Sequence, residues 1–316
     1  MHSRLVILPV LVSLADLLIG CLMGCGGNST ASPLPVSSQH LYVGVGSLAA
    51  SGSGEIQQFT LPITDTSTPT VRLPMSFVSG LAVDSNGNIA AGDGAGNLEI
   101  FKAPLSGTTT ISAAFSNGFA NGQPAFSAAG DLFVTDDNNV DVFAPPFTSA
   151  STPSQVIGVI TASGFNRGAA LDANGNLILS NLGGAVSTVQ SNLLVLAPPY
   201  IGPAIATPFQ ADTFYMSVAL SSTQLFVVSA LGNQRIDVYN LPITANSEPA
   251  FSITSGLSLP KSVALDSNGN LYVGNLVNIT AYSAPLSSSS TPSATLRING
   301  LAGNDLLTLS SIAIGK

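Results

Sequence analysis

S-V-A-L-D-S-N-G-N-L-Y-V-G-N (262–275) holds two short apolar strands joined by Asn-Gly, and much of it recurs along the chain. The first half returns as G-L-A-V-D-S-N-G-N (80–88), G-A-A-L-D-A-N-G-N (168–176) and, at the C-terminus, S-I-A-I-G (311–315). One alanine marks each copy: Ala82, Ala125, Ala170, Ala219, Ala264 and Ala313, spaced 43 to 49 residues apart. A period of that length is one supersecondary unit, as in propellers and solenoids. Asn-Gly between apolar runs is a hairpin signal, because both residues tolerate positive φ. A helical solenoid is therefore excluded.

Each period reads as four strands. After the alanine strand and its turn comes a second strand: I-A-A-G-D (89–93), L-F-V-T-D (132–136), L-I-L-S-N (177–181), L-F-V-V-S (225–229) and L-Y-V-G-N (271–275), with L-Y-V-G-V (41–45) as a sixth copy. The third strand ends at Phe59, Phe101, Phe143, Leu196, Tyr239 or Tyr282. Three residues on stands Pro62, Pro104, Pro146, Pro199, Pro242 or Pro285. Proline has no amide donor, so it ends the ladder and turns the chain toward an outer strand. Pro69, Pro153, Pro249 and Pro292 precede that strand and discourage edge-to-edge pairing. Six periods of four strands make an all-β, six-bladed β-propeller over 39–316. The small alanine fits where innermost strands crowd around the axis. The first unit lacks an inner strand and the last segment, 311–315, is an inner strand without companions, so the tail is expected to complete the first blade beside 41–45.

Residues 1–25 read as an export signal, with Arg4 ahead of an apolar run from Leu5 to Met23. An uncleaved membrane anchor is the alternative reading of that run. Cys21 and Cys25 are the only cysteines. L-I-G-C (18–21) and L-M-G-C (22–25) each resemble the lipobox of bacterial lipoproteins; the first fits better, because Met23 is an uncommon choice at its place, while the small polar stretch after Cys25 favours the second as the lipidated residue. An ordinary secretory signal with incidental cysteines is the other reading. Residues 26–38 form a flexible tether. The chain is expected at the cell envelope, held to the membrane by lipid. Eight basic residues against sixteen acidic ones, with no basic cluster, argue against nucleic acid as a partner.

The units at 80–101 and 262–275 resemble the NHL repeat, a likeness that extends over nearly all of 39–316. The aromatic-x-x-proline continuation departs from the usual NHL unit and suggests a lipoprotein subfamily of propellers without assigned function. The resemblance implies a six-bladed fold shared with gluconolactonase-type lactonases and streptogramin lyases. A shared fold does not carry either activity across.

Histidine is nearly absent, at His2 and His40 only, and residues 26–316 hold no cysteine. Histidine-based hydrolysis, zinc catalysis and thiol chemistry are therefore hard to build. No glycine-rich phosphate loop follows a strand and opens a helix. The D-x-N-G-N loops at 84–88, 172–176 and 266–270 look like calcium ligands, but an EF-hand loop needs about 12 residues and a terminal Glu. They read as hairpin turns. The better candidates for a ligand or a metal are the polar residues ending the second strands, namely Asp93, Asp136, Asn181, Ser229 and Asn275, with Val45 breaking the ring. Gluconolactonase-type enzymes gather Glu, Asn and Asp around a divalent cation there; in this sequence no Glu falls at a matching position. Arg167 and Lys261 hold equivalent places just before their inner strands, where they would meet a carboxylate or a sugar. Two functions stay open: a non-catalytic module that binds a protein or glycan, and a metal-dependent hydrolase of the lactonase type using Ca2+.

Overall fold

A computed structural model describes residues 39–47, 54–116, 122–136, 139–158, 164–183, 190–298 and 307–316. These fall within one compact unit, Ser37–Lys316. The signal and tether, with Cys21 and Cys25, lie outside the described residues. No helix among the described residues is long and apolar enough to cross a membrane.

The strands form six antiparallel sheets, and each sheet is one blade. Blades 2 to 6 run in chain order from inner to outer strand, blade 5 from Thr213–Leu220 to Phe251–Ile253 and blade 6 from Ser262–Leu265 to Ala294–Arg297. Blade 2 is Gly80–Val83, Ile89–Gly92, Asn97–Phe101 and Ala113–Ser116. Its inner alanine strand pairs Ala82 with Ala90 across the Asn-Gly hairpin. Blade 1 is built differently. Its strand order is Leu307–Gly315, His40–Ser47, Gly54–Thr60, Val71–Met75, so the last strand of the chain is the inner strand of the first blade. The register runs from His40 opposite Gly315 to Ser47 opposite Leu307, with a bulge between Gly44 and Val45. The expected closure is present.

Blade 4 departs from the pattern. Its outer strand is split into Ile205–Ala206 and Gln210–Ala211, which pair with separate parts of Gln190–Leu196. Pro208 lies in the gap and lacks the donor a continuous ladder needs. Thr207 covers the break, its hydroxyl accepting from Leu193 N at 2.9 Å. Blade 3 has an inner strand of only two residues, Ala125–Phe126, directly after Pro124.

Side chains on both faces of each sheet pack between blades. The buried apolar residues form one cluster at each of the six blade–blade interfaces. Ala313 packs among Leu81, Ile89 and Phe101 of blade 2, and Ala264 packs with Leu41, Val43 and Ile312 of blade 1. A larger side chain there would push inner strands apart, and such overpacking costs about 1–3 kcal/mol. The aromatics ending the third strands, Phe59, Phe101, Phe143, Tyr239 and Tyr282, are fully buried. The peptide bond before each of the six following prolines is cis.

Deletion of residues 306–316 removes the inner strand of blade 1 and exposes its neighbour's edge. The truncated chain is expected to lose stability across the whole ring, read as a lower, broadened thermal unfolding transition by circular dichroism. A truncation that melts like the full chain contradicts the closure.

Candidate functional site

The inner rim is laced by side-chain hydrogen bonds that cross from blade to blade. Two residues before each marker alanine stand Gly80, Gln123, Gly168, Ser217, Ser262 and Ser311. Ser217 Oγ accepts from Val263 N of the next blade at 3.1 Å. Ser262 Oγ accepts from Ile312 N at 3.0 Å, and Ser311 Oγ accepts from Leu81 N at 3.1 Å. Blade 4 has Gly168 at this place, and Ser180 substitutes from the second strand, accepting from Gly168 N and donating to Met216 O. A Cβ on Gly168 would meet Met216 O at 2.7 Å, so only glycine allows this approach. Gln123 reaches past blade 4 altogether: its Oε1 accepts from Ser217 Oγ at 2.7 Å and from Val218 N.

The D-x-N-G-N loops are hairpin turns. Asp84 Oδ1 accepts from Asn86 N and Asn88 N, both at 2.8 Å, while Oδ2 accepts from Asn88 Nδ2. Asp172 and Asp266 repeat the pattern. Gly87, Gly175 and Gly269 take φ of 84°, 78° and 80° to close them. Asx side chains are suited to this because they mimic a backbone turn.

Four members of the expected polar ring, Asp93, Asn181, Ser229 and Asn275, are bound within their own blade or the loop leading into it. Asp93 makes another turn of the Asp84 kind, accepting from Ala95 N at 2.7 Å, Asn97 N at 2.9 Å and Asn97 Nδ2 at 2.7 Å. Burial pushes its carboxyl up, but these three donors outweigh burial and hold it below the ordinary carboxylate range. Asn181 is buried and donates to Asn192 Oδ1 at 3.2 Å. Ser229 accepts from Phe214 N, and Asn275 Oδ1 accepts from Ser258 N at 3.0 Å. Asn275 Nδ2 donates to Asn278 and Thr280. Asp136 is half-buried, and Val45 is buried in the apolar cluster between blades 6 and 1. Arg167 is half-buried, with its carbonyl accepting from Gln123 N. Lys261 is also half-buried, and burial draws its ammonium below the ordinary lysine range.

A second polar series was not anticipated. Two residues before each third-strand aromatic stand Gln57, Glu99, Asp141, Asp237 and Thr280, with Leu194 as the apolar exception. Asp237 is fully buried. It accepts from Arg235 Nε at 2.7 Å, Tyr215 OH at 2.7 Å and Ser252 Oγ at 2.6 Å. A buried carboxylate with three donors is satisfied, and removing a partner from such a pair costs about 3–5 kcal/mol. Glu99 and Asp141 are less well provided. Burial, and then the charge of Asp93, raises the Glu99 carboxyl; burial and Asp136 do the same to Asp141. A glutamate therefore does adjoin the expected ring, though it arrives from the third strand.

No family model matches the chain, and no curated protein matches it. Solved structures do. A Bacteroides caccae protein of unknown function is 14% identical with a TM-score of 0.60, the match covering 89% of this chain and 100% of that one. The periplasmic gluconolactonase of Pseudomonas aeruginosa is 16% identical with a TM-score of 0.57, covering 84% of each chain. A gluconolactonase from Xanthomonas campestris is 11% identical with a TM-score of 0.54, covering 85% of this chain and 94% of that one. At these identities the likeness establishes the fold, a six-bladed propeller with gluconolactonase-type neighbours, and the NHL-like repeats are consistent with it. A divalent cation of the kind expected from that resemblance would need several oxygen ligands at about 2.3–2.6 Å. Among the described residues no three His, Cys, Asp or Glu side chains come together, and both oxygens of Asp93 already have donors. The described carboxylates therefore do not by themselves assemble such a centre.

The raised Glu99 carboxyl has a stability consequence. Its folded-state pKa exceeds the unfolded value, so the folded protein holds the extra proton between the two, and stability falls as pH rises through that interval. Glu99→Gln removes the charge. The variant is expected to melt higher than the parent at about pH 7 and alongside it at about pH 3, where the carboxyl is protonated in both states. Equal midpoints at both pH values contradict this.

Proposed function

We propose that this chain is an exported, lipid-anchored β-propeller that serves as a non-catalytic binding or scaffold module at the cell envelope. The observation that carries this reading is the commitment of the ring residues to local structure. Asp93, Asn181, Ser229 and Asn275 each close a turn or bridge strands of their own neighbourhood, and a side chain so engaged is poorly placed to hold a substrate. The apolar run at Leu5–Met23 and the cysteines at 21 and 25 support export and lipidation.

Blades 5 and 6 supply a face for a partner. Leu231 is exposed near the end of the strand Gln224–Gly232, and Leu259 and Val277 are exposed on loops, ahead of Ser262–Leu265 and after Leu271–Gly274. These loops are tied to one another: Leu259 N donates to Gln234 Oε1 at 2.8 Å, and Leu276 N donates to Ser258 O. Leu259 sits at φ 50°, an unusual backbone for a bulky side chain. Apolar side chains held out on braced loops favour a protein over a glycan as the partner.

Thermal unfolding in millimolar calcium and in chelator tests the reading, together with lactone hydrolysis under both conditions. Coincident midpoints and no hydrolysis are expected. A calcium-dependent gain, about 2.7 kcal/mol at a hundredfold excess over Kd, with lactone turnover would replace this reading by a metal-dependent hydrolase of the gluconolactonase type.

A further inference from the structure

A cleft of about 300 Å³ opens between the outer edges of blades 1 and 6, where the ring closes. Phe59, Ser67, Thr68, Pro69, Arg72 and Arg297 line it. We propose that this cleft binds a small hydroxylated carboxylate of monosaccharide size, independently of the exposed loops of blades 5 and 6.

The argument begins with charge. The chain has only eight basic residues against sixteen acidic ones, yet two guanidinium groups meet in this one cleft. Arg72 is held by Glu55, which is buried and also accepts from Gln57 Nε2. Arg297 is exposed and belongs to neither ion pair found among the described residues. One fork is thus fixed in place and the other is free to close. Two arginines against Glu55 and, at the edge, Asp65 leave no excess positive charge, which suits a monoanionic carboxylate better than a dianionic phosphate. Guanidinium forks recognise carboxylates through two parallel hydrogen bonds.

The second argument is the break in the repeat. Arg72 lies opposite Gln57 in the outer strand of blade 1. The residues opposite the corresponding third-strand positions of blades 2, 3, 5 and 6 are Ala114, Val156, Ser252 and Thr295. None of these is charged. Within its blade this cation offsets the buried Glu55 carboxylate, and the other blades form without a charge at this place, so the cation is peculiar to the cleft. The edges of the cleft are also fastened: Thr295 N of blade 6 donates to Asp65 Oδ1 of blade 1 at 2.7 Å. The half-buried Pro69 ring offers apolar surface for a sugar ring, and the exposed Thr68 hydroxyl offers a polar contact. The volume lies at the lower end of small-molecule sites, about 300–1,000 Å³.

Isothermal titration of the full chain at fixed ionic strength, with sodium glucuronate, glucose and inorganic phosphate as probes, tests the proposal. Glucuronate is expected to bind, glucose to give no measurable heat, and phosphate to bind at least about tenfold more weakly. Arg297→Ala is expected to weaken glucuronate by about tenfold or more, with Arg297→Lys in between. Arg297 is exposed and outside the ion pairs, so both variants should keep the parent's melting temperature, which confirms folding. Glucose binding as well as glucuronate, phosphate binding as tightly or tighter, or an Arg297→Ala variant that binds glucuronate unchanged would each overturn the proposal.

Discussion

A ring of blades has no end that a polar cap could cover, so every blade must find a neighbour on both faces. In this protein that requirement falls on one strand pairing, Leu307–Gly315 against His40–Ser47. The pairing supplies blade 1 with its inner strand and thereby both of its flanking interfaces. Ile312 packs in the cluster toward blade 6, and Ala313 packs in the cluster toward blade 2. Ser311 Oγ and Ile312 N extend the hydroxyl lacing across the same seam. Without that strand, two of the six apolar clusters would open to water, and burial of apolar area is the dominant favourable contribution to folding.

The features read most directly from the sequence are those with local causes. Asn-Gly takes positive φ wherever it falls, proline ends a ladder wherever it falls, and the alanine records crowding that recurs in every blade. The split outer strand of blade 4 had a local cause as well, Pro208, but its consequence depended on Thr207 covering the gap. The ring at the second-strand ends was legible as a position and not as a role. Asp93 heads D-G-A-G-N (93–97), the same Asp-to-Asn spacing as D-S-N-G-N (84–88), and that spacing marks it as a turn residue. The third-strand series carried no such mark. Asp237 becomes a buried anion only because Tyr215, Arg235 and Ser252 converge on it in the folded blade. Glu99 meets Asp93 for the same kind of reason: the third strand folds back beside the second, bringing together carboxyls six positions apart.

The division of labour among polar residues follows from that architecture. Near the axis, hydroxyls and one glutamine satisfy backbone amides that the inner edge would otherwise leave unpaired, a need that holds for any buried donor. At the strand ends, Asp and Asn shape turns. The recognition surfaces proposed above lie elsewhere, on the tied loops of blades 5 and 6 and in the arginine-lined cleft at the seam.

The claim at the centre of this account is that closure makes the six blades one cooperative unit, and native-state hydrogen exchange addresses it directly. The amides of Leu81, Val263 and Ile312 accept equivalent roles in the inner lacing, one on each side of the closing strand and one within it. If closure governs the ring, all three exchange only through global unfolding, with the same opening free energy and the same dependence on denaturant. If Ile312 and Leu81 exchange through a low-energy opening of the seam while Val263 stays protected, the closing strand is an accessory and the account is wrong.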